Sequence, residues 1–536
     1  MVSTASSQRI GWLSDVISGF LVFLIALPLC LGISLASGYP AVAGILTAIV
    51  GGLFTPLISS AQLTIKGPAA GLIVIALSAV TEFGFTGGQD PQADVLAYRM
   101  ALGVGVAAGV LQVCLAFISA GSLAEWFPRP AVHGMLAAVG IIIMVKQIPV
   151  MLGASAEGDP LELLARLPEI ILQANPAIAC LGLLSLLILC VYPRLRLRHA
   201  RLIPAPLVVL AVTIPLGFYL HLEDSHRYWF HGAQFQLDPS ALVHVPSNFL
   251  AALAWPDFSG LATPAGWKYA AMFAFIGSLE SLLSTKAIDA FDPWRRKTDL
   301  NRDLLAVGIG NTLVACMGGL PMISEIVRSR ANVDNGGRTR VANVAHGMFL
   351  LLFVGLIPVL VNHIPLAALA AMLVFTGFKL ASPHEFVRIY RVGVEQSITF
   401  VITIVAVLAT DLLIGVTVGV AVKLLIHTVN GAPLGALVRP PIMVGYPSPA
   451  LLRVSVSQAA VFTGWPAVKR EIVRPGGPND VEVDLSDTRL VDHTVMENLS
   501  GLAGELETTG RRLVVCGLED HRPLSDHPLA ARTRRG

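Results

Sequence analysis

Charge is scarce in this chain. Asp, Glu, Lys and Arg make up only 13% of its 536 residues, against about 25% in ordinary soluble proteins. Hydrophobic residues reach 54%, and the mean hydropathy is +0.71. Such a composition cannot cover a hydrated surface, which excludes a soluble globular protein and points to a polytopic membrane protein. The few basic residues are scattered among apolar stretches instead of clustering on one face, so the electrostatic footprint of nucleic-acid binding is missing. Cysteine is also sparse. Cys30, Cys114, Cys180, Cys190 and Cys316 lie in apolar stretches, Cys516 lies in a soluble-looking strand, and none shows metal-ligand spacing. They read as free buried thiols. The polar start MVSTASSQRI lacks a small-residue cleavage site, so the first apolar segment reads as a retained span and not a signal peptide.

Long apolar runs fill the first four-fifths of the sequence. Spans are expected near residues 12–35, 41–59, 98–119, 131–150, 174–192, 203–220, 268–288, 303–319, 341–361, 365–381, 397–413 and 413–430. Two shorter runs, 67–82 and 323–334, are too short to cross about 30 Å of hydrocarbon and read as half-helices. With them there are about fourteen elements, each short run third in a set of seven, which is the order an inverted repeat predicts. Basic loops at Arg194, Arg196, Arg198 and Arg201, at Arg295, Arg296, Lys297 and Arg302, at Arg338 and Arg340, and at Arg388 and Arg391 alternate with acidic or neutral ones. The positive-inside rule then places both termini in the cytoplasm. Past Gly431 charge rises and apolar runs shorten to strand length. Residues 451–456, 481–487 and 511–517 read as strands, and 493–510 as an amphipathic helix ending at Gly510. This is a small α/β domain without a glycine-rich phosphate loop, Gly476-Gly477 being a plain turn. The expected division is a membrane domain over 1–435 and a soluble domain over 436–536.

Three places carry chemistry. In Pro321 to Arg340, Glu325, Arg328 and Arg330 sit in apolar surroundings, and charge at membrane depth normally faces protein or a wet site. The stretch reads as a short helix opened by Pro321, capped by Ser324 and broken at Asn335-Gly336-Gly337. Arg328 could complete an anion site or simply pair with Glu325 at i,i+3; Arg330 faces the cytoplasm. The second place is Thr64 to Gly71. Pro68 suits a first helical turn, and Gly67, Ala69, Ala70 and Gly71 allow close approach to backbone amides. A helix N-terminus there would suit an oxyanion, with Lys66 adding a full charge or reaching solvent. The third is Glu280, mid-span, with Ser284 four residues on along the same face. An intramembrane carboxylate is a candidate cation ligand or proton carrier. Lys286, nearer the cytoplasmic end, snorkels.

ALPLCLGISLASG (26–38), the KGPAAGL turn (66–72), ISEIVRSRANVDNGGRT (323–339) and the trailing soluble domain resemble the SulP family of anion transporters, over essentially the whole chain. The resemblance implies a polytopic α-helical membrane protein with a seven-plus-seven inverted-repeat transporter fold, a homodimer, and a cytoplasmic STAS domain. It implies an anion held between the third and tenth helices and elevator-like movement of a core against a gate. By position, Ala69 and Ala70 match the third-helix binding turn, Arg328 the tenth-helix basic residue, Glu280 the eighth-helix acidic residue and Ser284 a hydroxyl near it. The sequence departs from the family pattern at Leu29, where many members have Gln, at Lys66, where many have Ser, and at Glu325, where small or hydroxyl residues are common. In the soluble domain, Val491-Asp492-His493-Thr494 stands where related regulatory proteins carry a phosphorylatable Asp-Ser, and Thr494 reads as a packing residue. His493, Asp520, His521, Asp526 and His527 are too irregularly spaced for a metal and read as solvated turns.

The expected function is secondary active transport of an inorganic oxyanion, sulfate or bicarbonate, across the inner or plasma membrane, coupled to H⁺ in preference to Na⁺. Lys66, Gly67, Ala69, Ala70, Ile323, Ser324 and Arg328 are the expected substrate-binding residues, and Glu280, Ser284 and Glu325 the coupling-ion or proton residues. No cofactor, metal or nucleic-acid partner is expected. The readings from other classes are a passive anion channel of the same fold and a membrane-bound carbonic anhydrase, the latter disfavoured by the absence of zinc-ligand spacing in the soluble part.

Overall fold

The computed structural model describes the whole chain except residues 1, 155, 157, 196–202, 246–252, 357, 475–479, 508–509 and 535–536. The basic positions Arg196, Arg198 and Arg201 and the turn at Gly476-Gly477 lie outside the described residues. Among the described residues, fourteen elements correspond to the expected runs, with shorter helices such as Pro160–Ala165 and Pro383–Val392 between some of them: α1 (Val2–Ala36), α2 (Val42–Leu53), β1 (Ile65–Pro68) leading into α3 (Ile73–Glu82), α4 (Pro91–Phe117), α5 (Arg129–Leu152), α6 (Pro176–Val191), α7 (Ala205–Tyr219), α8 (Pro264–Phe291), α9 (Leu300–Met317), β4 (Met322–Glu325) leading into α10 (Ile326–Asp334), α11 (Val341–Leu356), α12 (Leu366–Leu380), α13 (Val394–Ala409) and α14 (Leu412–Val429). Seven helices among the described residues are long and apolar enough to cross a membrane. The chain is a polytopic helical membrane protein. The third and tenth elements, the two expected half-helices, are the ones built as strand then helix. Between α7 and α8 a hairpin, β2 (His226–Phe230) and β3 (Ala233–Leu237), is the only strand pair of that connection among the described residues.

Two compact units divide the chain: Met1–Gly121 with Val139–Leu380, and Ser122–Ala138 with Ala381–Gly536. In the first, a core of fully buried aliphatic side chains joins α1, α2, α6, α7, α11 and α12, through residues such as Leu31, Ile45, Val209, Leu350 and Ala368. Its centre holds the pairing of β1 with β4, antiparallel, with Ile65 opposite Glu325, Lys66 opposite Ser324, Gly67 opposite Ile323 and Pro68 opposite Met322. Extended backbone at membrane depth must find partners for its amides and carbonyls inside the protein, and each strand supplies them to the other. This corrects the expected helix opened by Pro321 and capped by Ser324. Residues 322–325 are strand, the helix starts at Ile326, and its N-cap residue Glu325 makes no side-chain cap bond. Long-range pairing has overridden the local cap signal. The expected break holds, with α10 ending at Asp334 and Gly336 at φ +82°.

In the second unit, β5 (Ile442–Ser448), β6 (Leu451–Val456), β8 (Asp480–Asp484) and β10 (Arg512–Cys516) form one sheet in the order β10-β8-β6-β5, parallel except for the β5–β6 pair. A second sheet takes β7 (Gln458–Ala460), β9 (Thr488–Val491), β11 (His521–Pro523) and β12 (Arg532–Arg534). Helices α15 (Trp465–Ile472) and α16 (His493–Glu507) close over a core that includes Val454, Trp465, Val483, Val495 and Leu499. The three expected strands and the helix are present; β5, β7, β9, β11, β12 and α15 were not expected, being short or carrying few alternating apolar residues.

Candidate functional site: a buried guanidinium between two half-helices

The side chains of a strand alternate between faces, so the β1–β4 pair sorts the expected site residues into two sets. Lys66 and Ser324 share one face. Gly67, Ile323 and Glu325 share the other.

On the first face the charge is internally matched. Lys66 Nζ lies 2.7 and 2.8 Å from the two carboxylate oxygens of Asp303 on α9, and also bonds Ser324 Oγ. Asp303 accepts further bonds from Thr285 Oγ1 at 2.9 Å and from Ser59. Thr285 and Ser281 on α8 reach Ser324 Oγ at 2.8 and 3.1 Å, and the Ser324 amide donates to Ser281 Oγ at 3.0 Å. Lys66 and Asp303 are each 1% exposed. The expected roles of Lys66 and Ser324 as anion ligands are therefore corrected: their polar atoms are engaged in a closed network that fastens β1 and β4 to α8 and α9. Asp303 was not anticipated: it stands at the first position of the expected span 303–319, directly after the basic Arg302. The available signal was that a lysine in apolar surroundings needs an acidic partner.

On the second face the charge is unmatched. Arg328, 1% exposed, has Nε and Nη1 without any hydrogen-bond partner, and Nη2 makes one long contact of 3.5 Å to the Pro68 carbonyl. A Cβ at Gly67 would collide with Nη1, so the guanidinium lies flush against the β1 backbone and only glycine admits it. The Glu280 carboxylate likewise lies where a Cβ of Gly71 would stand, with Oε2 buried and unpartnered. The Glu325 carboxyl lies close to the Ala70 amide. Ala70, Glu280 and Glu325 are partly exposed, whereas Ala69 and Ile323 are buried. Arg328 thus lies against β1 at Gly67, while Glu280 lies at the first turn of the third element, Ala70 to Leu72, where the Leu72 amide donates to the Ala69 carbonyl at 3.3 Å. Ser284 is buried one turn along α8 from Glu280. Cys30 of α1, close to Arg328, and His346 of α11, buried with neither ring nitrogen bonded, lie in the same surroundings and were not anticipated. A buried guanidinium with two unpartnered nitrogens has the donors that an anion with several oxygens would take.

The family model for the sulfate permease family matches residues 12–405. The chain belongs to the sulfate permease family. As a family member it is 24% identical over 409 residues to the bicarbonate transporter BicA of Picosynechococcus, covering 76% of this chain and 69% of that one. Its structure resembles the transmembrane domain of a cyanobacterial BicA, with a TM-score of 0.61 at 24% identity over 75% of this chain and 97% of the other. It also resembles SLC26A9, with a TM-score of 0.66 at 14% identity over 95% and 85%. These likenesses establish the fold.

In the second unit of this family member, a second buried charge cluster joins α14 to the start of α16. Lys423 Nζ lies 3.0 Å and His427 Nε2 3.3 Å from Asp492 Oδ1, and Lys423 also donates to Gln396 Oε1 at 3.0 Å. All three ionic side chains are at most 2% exposed. Burial would push the Asp492 carboxyl up, but Lys423 and His427 outweigh it and hold it well below the usual carboxylate range. The sequence signal was Lys423 and His427 at i,i+4 in the last span. Thr494, two residues after Asp492, is buried with its hydroxyl unbonded. His493 and His521 are buried too, at 7% and 4% exposure, which corrects their reading as solvated turns. His493 bonds the Leu529 carbonyl and pairs with Glu497 at 3.4 Å, and His521 bonds Thr488.

Proposed function

We propose that this protein is a secondary active transporter of an inorganic oxyanion, sulfate or bicarbonate, with proton coupling preferred over Na⁺. The observation that carries the reading is Arg328: a fully buried guanidinium with two unpartnered nitrogens, set against β1 at Gly67 from the first turn of α10. Leaving a buried charged donor unsatisfied is costly, and an oxyanion would satisfy it. The family name and the bicarbonate transporter among its relatives supply the two substrate classes. Gly67, Ala69, Ala70, Ile323 and Arg328 form the proposed binding cradle. Glu280, with Ser284 and Glu325, forms the proposed coupling site. Glu280 favours a proton over Na⁺ because the long side chain already fills the space against Gly71 that a cation and its ligands would need.

The further parts of the reading are a homodimer in the cell's inner or plasma membrane, both termini cytoplasmic, and a C-terminal STAS domain from about residue 436. Uptake of labelled sulfate and labelled bicarbonate into proteoliposomes, under an imposed proton gradient and separately a Na⁺ gradient, tests it. Accumulation above equilibrium driven by protons is the expected result. Equilibration without accumulation would establish the passive channel in its place, and Na⁺-driven accumulation would overturn the coupling assignment.

A further inference from the structure

We propose that the short helix Pro383–Val392 is a docking surface for the membrane itself, and that its partner is the headgroup of an anionic phospholipid. Its arginines, Arg388 and Arg391, mark one of the basic loops that set the orientation of the chain; the structure gives them a further use.

Connectivity fixes the depth of the helix. It joins α12, which ends at Leu380, to α13, which starts at Val394. Only Ala381 and Ser382 precede it, and only Gly393 follows. A proline disfavours the helical conformation in the residue before it. Ser382, directly before Pro383, is accordingly extended at φ −66° and ψ 143°, and α12 cannot run on into the next helix. Linkers of two residues and one residue reach about 10 Å at most. A helix tethered so closely at both ends to apolar membrane helices stays at the membrane surface. By the expected orientation this is the cytoplasmic surface.

The helix presents three stripes. Ile389 and Val392 are buried, and the Phe386 ring stands edge-on to Phe400 of α13 with 4.9 Å between centroids, so one side is held by protein. Pro383, Val387 and Tyr390, at i, i+4 and i+7, form an exposed apolar stripe, with Val387 47% and Tyr390 65% exposed. His384, Arg388 and Arg391, again at i, i+4 and i+7, form an exposed basic stripe beside it. Arg388 pairs with Glu385, the one carboxylate of the helix, at 2.7 Å. Arg391 has no side-chain partner among the described residues.

An apolar stripe alone would suit any hydrophobic partner, and the basic stripe decides between them. In a helix lying flat at an interface, apolar side chains enter the boundary between headgroups and acyl chains, and basic ones next to them sit at the level of the phosphates. The two stripes here are neighbours in that order, with protein on the remaining side. A guanidinium offers paired N–H donors to a phosphate, and a tyrosine suits the same boundary with its apolar ring and polar end. The chain passes from the first compact unit to the second at Leu380, directly before this helix. Docked on lipid, the helix fastens that passage to the membrane surface.

The test uses photoactivatable phosphatidylglycerol and photoactivatable phosphatidylcholine, each at the same fraction in proteoliposomes of the full chain, with the adducts mapped to residues by mass spectrometry. Both lipids are expected to label residues 383–392, with an excess for phosphatidylglycerol that shrinks when salt is raised from about 0.05 M to about 0.5 M. One arginine near an anionic surface is worth about fivefold in binding, so Arg391→Gln should cut that excess about fivefold. Val387→Ser/Tyr390→Ser should reduce adducts from both lipids alike. Equal labelling by the two lipids in the parent at low salt would overturn the anionic partner. Labelling of other membrane helices with none on 383–392 would overturn the surface. So would bifunctional cross-links joining this helix to its counterpart in a second copy in place of lipid adducts. The parent at two salt concentrations decides the matter even where a variant fails to fold.

Discussion

Lys66 offers the sharpest separation between a ligand and a scaffold. It is the lysine that sequence reasoning assigns to the anion, and the structure closes it onto Asp303 with both side chains 1% exposed. Replacing Lys66 with Met removes one half of a buried pair and strands the Asp303 carboxylate, which keeps hydroxyl donors from Ser59, Thr285 and Ser324. Breaking a buried pair in this way costs about 3–5 kcal/mol. Asp303→Leu strands the ammonium and should cost a similar amount. The double variant Lys66→Met/Asp303→Leu removes both charges and exchanges a buried pair for apolar volume, which is often near neutral. The two single losses should therefore fail to add, with a coupling of several kcal/mol, as expected for groups in direct contact. Reversible denaturation of the detergent-solubilised protein measures the three stabilities, and equilibrium binding of labelled sulfate measures the site. The double variant should recover most of the parent stability and bind sulfate within a few-fold of the parent. A Lys66→Met variant of parental stability with no sulfate binding would refute the assignment and return Lys66 to the anion site.

Arg328→Ala should weaken sulfate binding about 10- to 100-fold, the range for losing a charged hydrogen-bonding partner; unchanged affinity in an equilibrium binding assay would remove Arg328 from the cradle. Gly71→Ala drives a methyl group into the Glu280 carboxylate, and the far end of that side chain is what must yield. Melting should shift little while proton-driven accumulation falls, so a variant with full coupling would show that Glu280 works from another position. His493 supplies the pH prediction. Burial opposes its charge, but the Glu497 carboxylate and the Leu529 carbonyl outweigh burial and hold its pKa above the ordinary histidine value. A raised folded value means stability fully present below about pH 6.5 and lost as pH rises through the folded value. His493→Gln should therefore melt lower than the parent near pH 6 and converge with it near pH 9; a constant difference across that range would exclude the linkage.

The membrane architecture was legible because hydropathy and length are strong signals. The expected spans at 365–381 and 413–430 are the helices Leu366–Leu380 and Leu412–Val429 almost to the residue. The expected third and tenth half-elements stand where the short runs placed them. What sequence could not give was the conformation of their first residues. Pro321, Ser324 and Pro68 are good helix-start residues, and each was read so, yet residues 65–68 and 322–325 are strands because each is the other's partner across more than 250 positions. Local signals carry no information about such a partner. The same gap explains Lys66. Its type announced a charge at membrane depth, and only the fold could tell whether Asp303 or a ligand would answer it. Arg328 and Glu280 stood out because an unmatched charge in an apolar run is visible without knowing its neighbours.

The strand pair also decides what kind of coupling the site could support. Four paired residues and the Lys66–Asp303–Ser324–Thr285 network join the bases of α3 and α10 to α8 and α9. The carboxyl of Glu280 rides on α8, that of Glu325 on β4, and the guanidinium on α10. A proton therefore cannot favour anion binding by drawing these elements together, because their separation is already fixed by backbone pairing and a buried salt bridge. It can act only by changing charge within a rigid frame. On that argument, variants that loosen the frame, such as Ser324→Ala, should lower stability and leave the proton-to-anion ratio alone, whereas Glu325→Gln should change the ratio and leave stability alone. The two readouts divide along the two faces of the same short strand.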